Sequence, residues 1–315
     1  MPLPLNAVPE GDFESFLGAP TAPDLDALDA DFAVIGIPFG VPYGIAGVAS
    51  DASRAPRAVR ARSVRFGRLL DHYDFDFDGA LFDGRGVRLV DCGDVPADPR
   101  DLAANAARAT EAIRTIRARG AVPLVLGGDD SIPPLVLRAY RGSGPLHVLQ
   151  IDAHLDFRDE VDGIGDGYSS PMRRASEMDW VARIVHVGLR GVGSARAQDV
   201  ADSREAGNAL ITARMVREGG VGRVLEEFPA GAEYFITLDC DGLDPSVAPG
   251  TSAPMPGGLS FDAAAELLRG LARRGRVVGM DVTEHFPSLD LHGITSLAIT
   301  RLIVNLMGEM IRSGS

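Results

Sequence analysis

Cysteine is nearly missing from this chain: Cys92 and Cys240 are the two in 315 residues. That excludes a disulfide framework and fits a reducing compartment. Each cysteine reads as a small buried apolar residue rather than a nucleophile. Positive charge is also short, with Lys and Arg at 31 against Asp and Glu at 44, a net charge of -13. Polyanions are held by clustered basic residues, so nucleic acid and anionic membrane are disfavoured as partners and a cationic substrate is compatible. The opening MPLPLNAVPEGDFESFLG has no basic segment followed by an apolar stretch, and no uninterrupted apolar run predicts a membrane span. The expected setting is cytoplasmic. What is present, 45% hydrophobic residues and 24% charged, supplies a sizeable core and an ordinary globular surface.

Strand-like and helix-like segments alternate along the chain. Residues 1–30 mix Pro, Gly, Asp and short apolar pairs, and predict a segment that wraps over the surface. Residues 31–38 predict the first strand, and 39–53 a Gly- and Pro-punctuated loop of a size that tends to be functional. Further strands are predicted at 87–91, 121–126, 147–151, 184–188, 210–211, 234–238 and 276–282. Helices are predicted at 55–66, 98–119, within 131–140, near Ser176, and at 221–228, 260–273 and 294–311. With no repeat, low-complexity tract or linker-like shift, residues 1–315 read as a single doubly wound α/β domain.

Four of these strands end in acidic residues: Asp129 and Asp130; Asp152 and Asp156 flanking His154; Asp239 and Asp241; and Glu284. Open α/β sheets hold ligands at this carboxyl edge. If extended geometry persists past the strands, Asp152, His154 and Asp156 share one face, as do Asp239 and Asp241 with Cys240 opposite. So many carboxylates cannot share a pocket uncompensated, because repulsion and desolvation would force several to take up protons. Divalent cations are the natural compensation. Oxygen ligands with one imidazole suit Mn²⁺ best, with Ni²⁺, Fe²⁺ and Zn²⁺ behind it. Two such ions sharing carboxylates would activate a water.

Read in order, GGDDS, DAHLD, LDCDGLDPSVAPGTSAPMPGGLS and DVTEHFP resemble the ureohydrolases, a family that includes arginase, agmatinase, guanidinobutyrase and proclavaminate amidinohydrolase. The resemblance runs from about Ile37 to the C-terminus, and GIPFG with the AP-RAVR segment is most similar to the agmatinase branch. It implies an arginase-like three-layer α/β/α fold with a mainly parallel sheet, assembly as homotrimer or homohexamer, and hydrolysis of a guanidino group to urea and an amine. It further implies two Mn²⁺ per chain, with Ni²⁺ or another divalent ion as substitute. One ion falls to Asp130, Asp152, Asp156 and Asp239, and the other to Asp152, His154, Asp239 and Asp241. Glu284 matches the glutamate that accepts guanidinium hydrogen bonds, and Asp152 and Asp241 count among the catalytic residues.

Two positions depart from the family pattern. Asp130 stands where most members have the His of GGDHS, which makes the cage more anionic and its bound water less acidic. Ser170 stands at the position taken to correspond to a second family His, and a serine is no acid near neutrality. His285, or Asp130 through water, would then have to help protonate the departing amine, although His285 reads rather as structural. His147 and His186 read as satisfied core histidines, and Arg173, Arg174 and Arg190 as salt-bridging residues. The loop 157–170 corresponds to a region contacting the substrate's far end, and it carries Asp159, Glu160, Asp162 and Asp166 against Arg158. That balance favours a cationic tail, hence agmatine hydrolysed to putrescine and urea. The alternatives are another guanidine (guanidinobutyrate, an arginine-like or a biguanide-type compound) or a catalytically silent paralogue acting as an assembly subunit.

Overall fold

The computed structural model describes residues 14–41, 50–98 and 100–314. Its first half runs β1 (Phe32–Gly36), α1 (Ala55–Gly67), β2 (Tyr73–Asp74), β3 (Gly79–Ala80), β4 (Leu89–Asp94), α2 (Leu102–Ala118), β5 (Val122–Leu126), α3 (Pro133–Leu137) and β6 (Leu146–Ile151). There follow α4 (Pro171–Ser176), β7 (Val181–Leu189), α5 (Ala197–Glu205), β8 (Ala209–Thr212), α6 (Ala213–Gly219), α7 (Val221–Leu225), β9 (Glu233–Asp239), α8 (Phe261–Arg274), β10 (Arg276–Thr283) and α9 (Ile294–Ser313).

Eight strands form one sheet in the order β4-β1-β5-β10-β9-β6-β7-β8, with every neighbouring pair parallel. A parallel sheet is covered on both faces, which is why its strands read as nearly continuous apolar runs. Alternation along β9 shows the two layers. Tyr234, Ile236 and Leu238 pack with Leu267 and Leu271 of α8 and Ile303 and Met307 of α9. Phe235 faces the other way, toward Ile113 and Ile116 of α2 and Val136 of α3. The result is the expected three-layer α/β/α architecture. Helix starts follow local chemistry: Asp101 accepts from the Ala104 amide at 3.0 Å to open α2, later than expected, and Ser260 accepts from Ala263 at 3.2 Å to open α8.

Topology matters most for function. The four acidic motifs follow β5, β6, β9 and β10, which lie far apart in the chain yet are adjacent in the sheet as β5-β10-β9-β6. Because the strands are parallel, their carboxyl ends meet at one edge.

Several expectations need correction. The N-terminal segment does not merely wrap the surface: from Glu14 on, it buries Phe16, Leu17, Leu25 and Leu28. The hairpin β2–β3 and helices α5 and α6 were not foreseen. The middle of the long loop at 39–53 lies outside the described residues. The stretch Leu291–Ser313 is long and apolar enough to cross a membrane, contrary to the sequence reading, but 67% of its most apolar window is buried inside the protein, as in a core helix. Cys92 and Cys240 are buried as expected, and desolvation pushes the Cys92 thiol up to about 12.

The N-terminal segment is tied down by a buried ion pair. Arg60 of α1, 1% exposed, donates from Nε to Asp91 Oδ2 at 2.8 Å and from Nη2 to Asp91 Oδ1 at 2.9 Å and to the Gly93 carbonyl at 2.8 Å. The Phe16 amide donates to the same carboxylate at 2.7 Å. Removing one partner strands a buried charge, so Arg60→Met is expected to cost about 3–5 kcal/mol in urea unfolding. A loss below about 1 kcal/mol, the scale of a surface pair, would contradict this reading.

Candidate metal and guanidine site

The acidic side chains converge because the backbone turns at the strand ends, not because extended geometry persists. β6 stops at Ile151, and Asp156 adopts a left-handed conformation at φ +44°. β9 stops at Asp239, and Cys240–Gly242 forms a single 3-10 turn in which Asp239 accepts from the Asp241 amide at 2.8 Å. The turn lies so close to β6 that a Cβ on Gly242 would sit 2.6 Å from the Asp152 nitrogen, so only glycine fits. Alternation along an extended strand therefore does not bring these residues together; the turns do.

Asp130, Asp152, Asp156 and Asp239 each offer a carboxylate oxygen, all within 4.8 Å of one another, and Asp152, His154 and Asp156 make a second group that overlaps the first. Asp241 stands beside them: its Oδ2 lies 3.1 Å from His154 Nδ1 and its Oδ1 accepts from the Ala153 amide at 3.1 Å. Asp130 Oδ1 accepts from Thr283 Oγ1 at 2.7 Å, while Oδ2 is buried with no hydrogen-bond partner among the described residues. Glu284, also left-handed at φ +57°, accepts from the Asp130 amide at 2.9 Å on Oε1 and from Ser252 Oγ at 3.3 Å on Oε2. Asp129 is drawn aside by the Ser131 amide and hydroxyl, 3.0 and 2.6 Å from its Oδ1.

Electrostatics test whether cations fit here. Burial first, then neighbouring carboxylates, hold Asp130, Asp156 and Asp239 well above the ordinary range. Asp152 is pushed to about 6 by burial and Asp241, and Glu284 to about 8 by burial and Asp129. His154 rises to about 10 through its bonds to Asp152 and Asp241. The cluster binds protons in place of missing positive charge, and an orphaned Asp130 oxygen points to a ligand of that charge. The residues fit divalent cations.

A chain of polar residues behind Asp152 was not anticipated. Gln150 Nε2 donates to Asp152 Oδ2 at 2.6 Å, so Gln150 Oε1 must accept from His186 Nδ1. His186 Nε2 is then the acceptor for Ser203 Oγ at 3.3 Å. Burial alone pushes His186 down to about 3, in keeping with a neutral ring. The signal was present in the sequence: a glutamine inside the apolar run HVLQI needs a buried partner. Arg190 was also undervalued. Among the described residues it pairs with no carboxylate side chain but donates to the carbonyls of Gly188, Asp241, Gly242, Leu243 and Met255, clamping the turn that carries Asp241.

Other expected residues fall differently. His186 is satisfied, but His147 is only partly buried and its Nδ1 has no partner among the described residues. His285 is 1% exposed, with both ring nitrogens engaged by Gly250 and Ser296, which removes it as a proton donor to substrate. Ser170 is fully buried at the start of α4, its hydroxyl without a partner among the described residues, and the Met172 amide two residues on donates to the Asp156 carbonyl at 3.1 Å. The acidic loop is less negative than its local sequence: Arg174 reaches Asp159 at 2.7 Å, Arg138 reaches Asp166 at 3.4 Å, and Arg158 turns away to Asp199. Asp162 stays exposed in a left-handed turn. Arg173 and Arg174 form the salt bridges expected of them, with Asp202, Asp159 and Glu177.

A profile described as the arginase family matches residues 30–308. The chain belongs to the arginase family. It is 33% identical over 301 residues to a guanidinobutyrase of Pseudomonas aeruginosa, covering 91% of this chain and 87% of that protein. It is 32% identical over 300 residues to an agmatinase of Chromobacterium violaceum, covering 93% and 87%. Among solved structures, proclavaminate amidinohydrolase from Streptomyces clavuligerus superposes with a TM-score of 0.81 at 28% identity over 96% of this chain and 98% of that one. The chain is thus an agmatinase-like ureohydrolase, a hydrolase of guanidino compounds.

Two outcomes follow from the geometry. Carboxylates held above their usual values, 3.8 for Asp152 and 4.5 for Glu284, bind more protons folded than unfolded, so the metal-free protein loses stability as pH rises from about 4 through about 8. His154, raised to about 10, adds stability that is complete below 6.5 and also fades upward. Added Mn²⁺ is therefore expected to raise the melting temperature more at pH 8 than at pH 5, and an equal rise at both would defeat the account. Separately, Gln150→Leu leaves Asp152 without its support and is expected to weaken metal retention about 10–100-fold, read by chelator competition. Unchanged retention would show that the chain behind Asp152 is idle.

Proposed function

We propose that this protein hydrolyses a guanidino compound to urea and an amine at the edge formed by β5, β10, β9 and β6, with agmatine as substrate and putrescine as the amine. The observation that carries the reading is the juxtaposition of Glu284 with a cage of carboxylates that fits two divalent ions, Mn²⁺ being the best match to its mostly oxygen donors. One ion would be held by Asp130, Asp152, Asp156 and Asp239, and the other by Asp152, His154, Asp239 and Asp241. When bound, the ions neutralise the carboxylates and make a water nucleophilic at neutral pH.

The chain's own residues do the rest. Glu284 receives two guanidinium N–H donors, and its fixation by the Asp130 amide and Ser252 sets the plane of the substrate before reaction. Burial that raises its pKa when the pocket is empty becomes an advantage once a cation sits against it, because the low dielectric strengthens the pair. Asp241, oriented by His154 and by the Arg190 clamp, takes the proton of the attacking water and returns it to the departing nitrogen. Water oxygen ends in urea, the bond from the guanidino carbon to the tail nitrogen breaks, and the amine takes up the second water proton, released from the intermediate's hydroxyl as the urea carbonyl forms. Asp159, Asp162 and Asp166 would face the ammonium tail.

A second tail chemistry has its own support. Arg174 and Arg138 neutralise Asp159 and Asp166, and a similar protein is named guanidinobutyrase, so a carboxylate-tailed guanidine is the competing substrate.

The deciding measurement is urea release by Mn²⁺-loaded protein from agmatine and guanidinobutyrate in parallel. Urea from agmatine is expected, and Glu284→Gln is expected to cut kcat/KM at least about 100-fold, since it discards a charge-assisted pair in a buried pocket. Turnover of guanidinobutyrate alone would transfer the assignment to the acid. No urea from any guanidine, with two ions bound per chain, would leave the silent-subunit reading.

A further inference from the structure

Glu284 is held in a backbone conformation that a glutamate avoids, φ +57°, so something must hold it there. Part of the restraint is direct: the Glu284 amide donates to the Gly128 carbonyl at 2.9 Å. The remainder comes through its neighbour. The His285 ring, 1% exposed, stands with Nδ1 at 3.2 Å from the Gly250 carbonyl and Nε2 at 2.8 Å from Ser296 Oγ. A carbonyl only accepts, so Nδ1 carries a proton toward Gly250, while Nε2 shares the Ser296 hydroxyl with Asp290, whose Oδ2 lies 3.0 Å from the same Oγ. Asp290 fixes the receiving end by accepting from the Thr295 and Ser296 amides at 2.9 and 3.1 Å.

One imidazole therefore ties together the turn after β10, the loop through Gly250 and the first turn of α9. The tie reaches Glu284 twice. The Phe286 amide donates to the same Gly250 carbonyl at 2.7 Å, so Glu284 is braced on its carboxyl-terminal side. Two residues beyond Gly250, Ser252 donates to Glu284 Oε2. The loop that His285 holds is also the loop that holds the Glu284 carboxylate. An apolar side chain could fill the same volume but would make neither hydrogen bond.

We propose that His285 is a positioning residue for Glu284, locking both its left-handed backbone and the Gly250–Ser252 loop in the orientation that receives a guanidinium. The assignment rests on the function proposed above for its kinetic consequence, but not for its structural one. The test uses full-length, Mn²⁺-loaded protein with His285→Val, His285→Asn and Ser296→Ala, read by hydrogen exchange, metal content and kinetics. The Asp130 amide, which bonds Glu284 Oε1, reports Glu284's position without substrate. In His285→Val its exchange is expected to accelerate about tenfold or more while protection in β6 and β9 stays at the wild-type level. KM for whichever guanidine the wild type turns over is expected to rise about tenfold, with kcat changed by less than about threefold and two ions retained. His285→Asn, whose amide can still serve Gly250, is expected to recover most of both effects. Wild-type exchange at Asp130 together with unchanged KM in His285→Val would overturn the proposal, as would a loss of metal and kcat with KM unchanged. If His285→Val does not fold, Ser296→Ala decides: faster Asp130 exchange supports the tie, and wild-type exchange refutes it. A wild type that releases no urea would defeat the proposed function while leaving the exchange result decisive for His285.

Discussion

Five buried aspartates and a half-buried glutamate share one end of a sheet, and their mutual repulsion is the constraint from which the rest of the site follows. Asp130, Asp152, Asp156 and Asp239 cannot all be charged within 4.8 Å of one another in a desolvated pocket unless positive charge joins them. His154 supplies a little of it and Arg190 stands nearby, but Arg190's donors are spent on backbone carbonyls. The unsatisfied Asp130 oxygen marks where the deficit is sharpest. A site of this kind stores unfavourable electrostatic energy in the fold and recovers it when cations and a guanidinium arrive.

Holding such a cluster demands stiffness around it. Parallel strands bring four distant segments to one edge, but the last few ångströms are supplied by turns, and two of those place non-glycine residues, Asp156 and Glu284, in left-handed conformations. Strain of this sort persists only where surrounding bonds over-determine the backbone. Here they do: Met172 answers the Asp156 carbonyl, Gly128 answers the Glu284 amide, and the His285 tie closes the far side. The polar chain from Ser203 through His186 and Gln150 serves Asp152 likewise, fixing a carboxylate by fixing what stands behind it.

How far the sequence revealed this can be judged residue by residue. Apolar runs flanked by turn residues located all the sheet strands, because buried parallel strands advertise themselves by composition. The hairpin of two-residue strands β2 and β3 and the polar helix α5, AQDVADSRE, had no such signature. The ligand aspartates and His154 were legible from strand-end position and motif, yet the geometry that unites them was not: alternation assumed an extended backbone where the chain turns. Long-range partners were invisible for a different reason. Arg174 and Arg138 reach the acidic loop from α4 and the turn after α3, so a charge balance taken over the loop alone overstated its negativity. Phe16 looked like part of a surface wrapping because nothing local to it announces Asp91 and Arg60.

The same contrast separates the reaction from its substrate. The groups that handle the guanidine are buried or half-buried, mutually bonded and costly to change, since removing any one strands the others in a low dielectric. The groups that would meet the tail, Asp159, Asp162 and Asp166, are exposed, and ion pairs there are worth about 0–1 kcal/mol each. Substitutions at that rim cost the fold little and change the charge presented to the tail directly. Chemistry held in the core and tail recognition held at the rim are what a family needs if relatives only about one-third identical to this chain are to be named for both agmatine and guanidinobutyrate. Asp130 sits on the other side of that divide, because a change there acts on the buried charge that every member of the cluster feels.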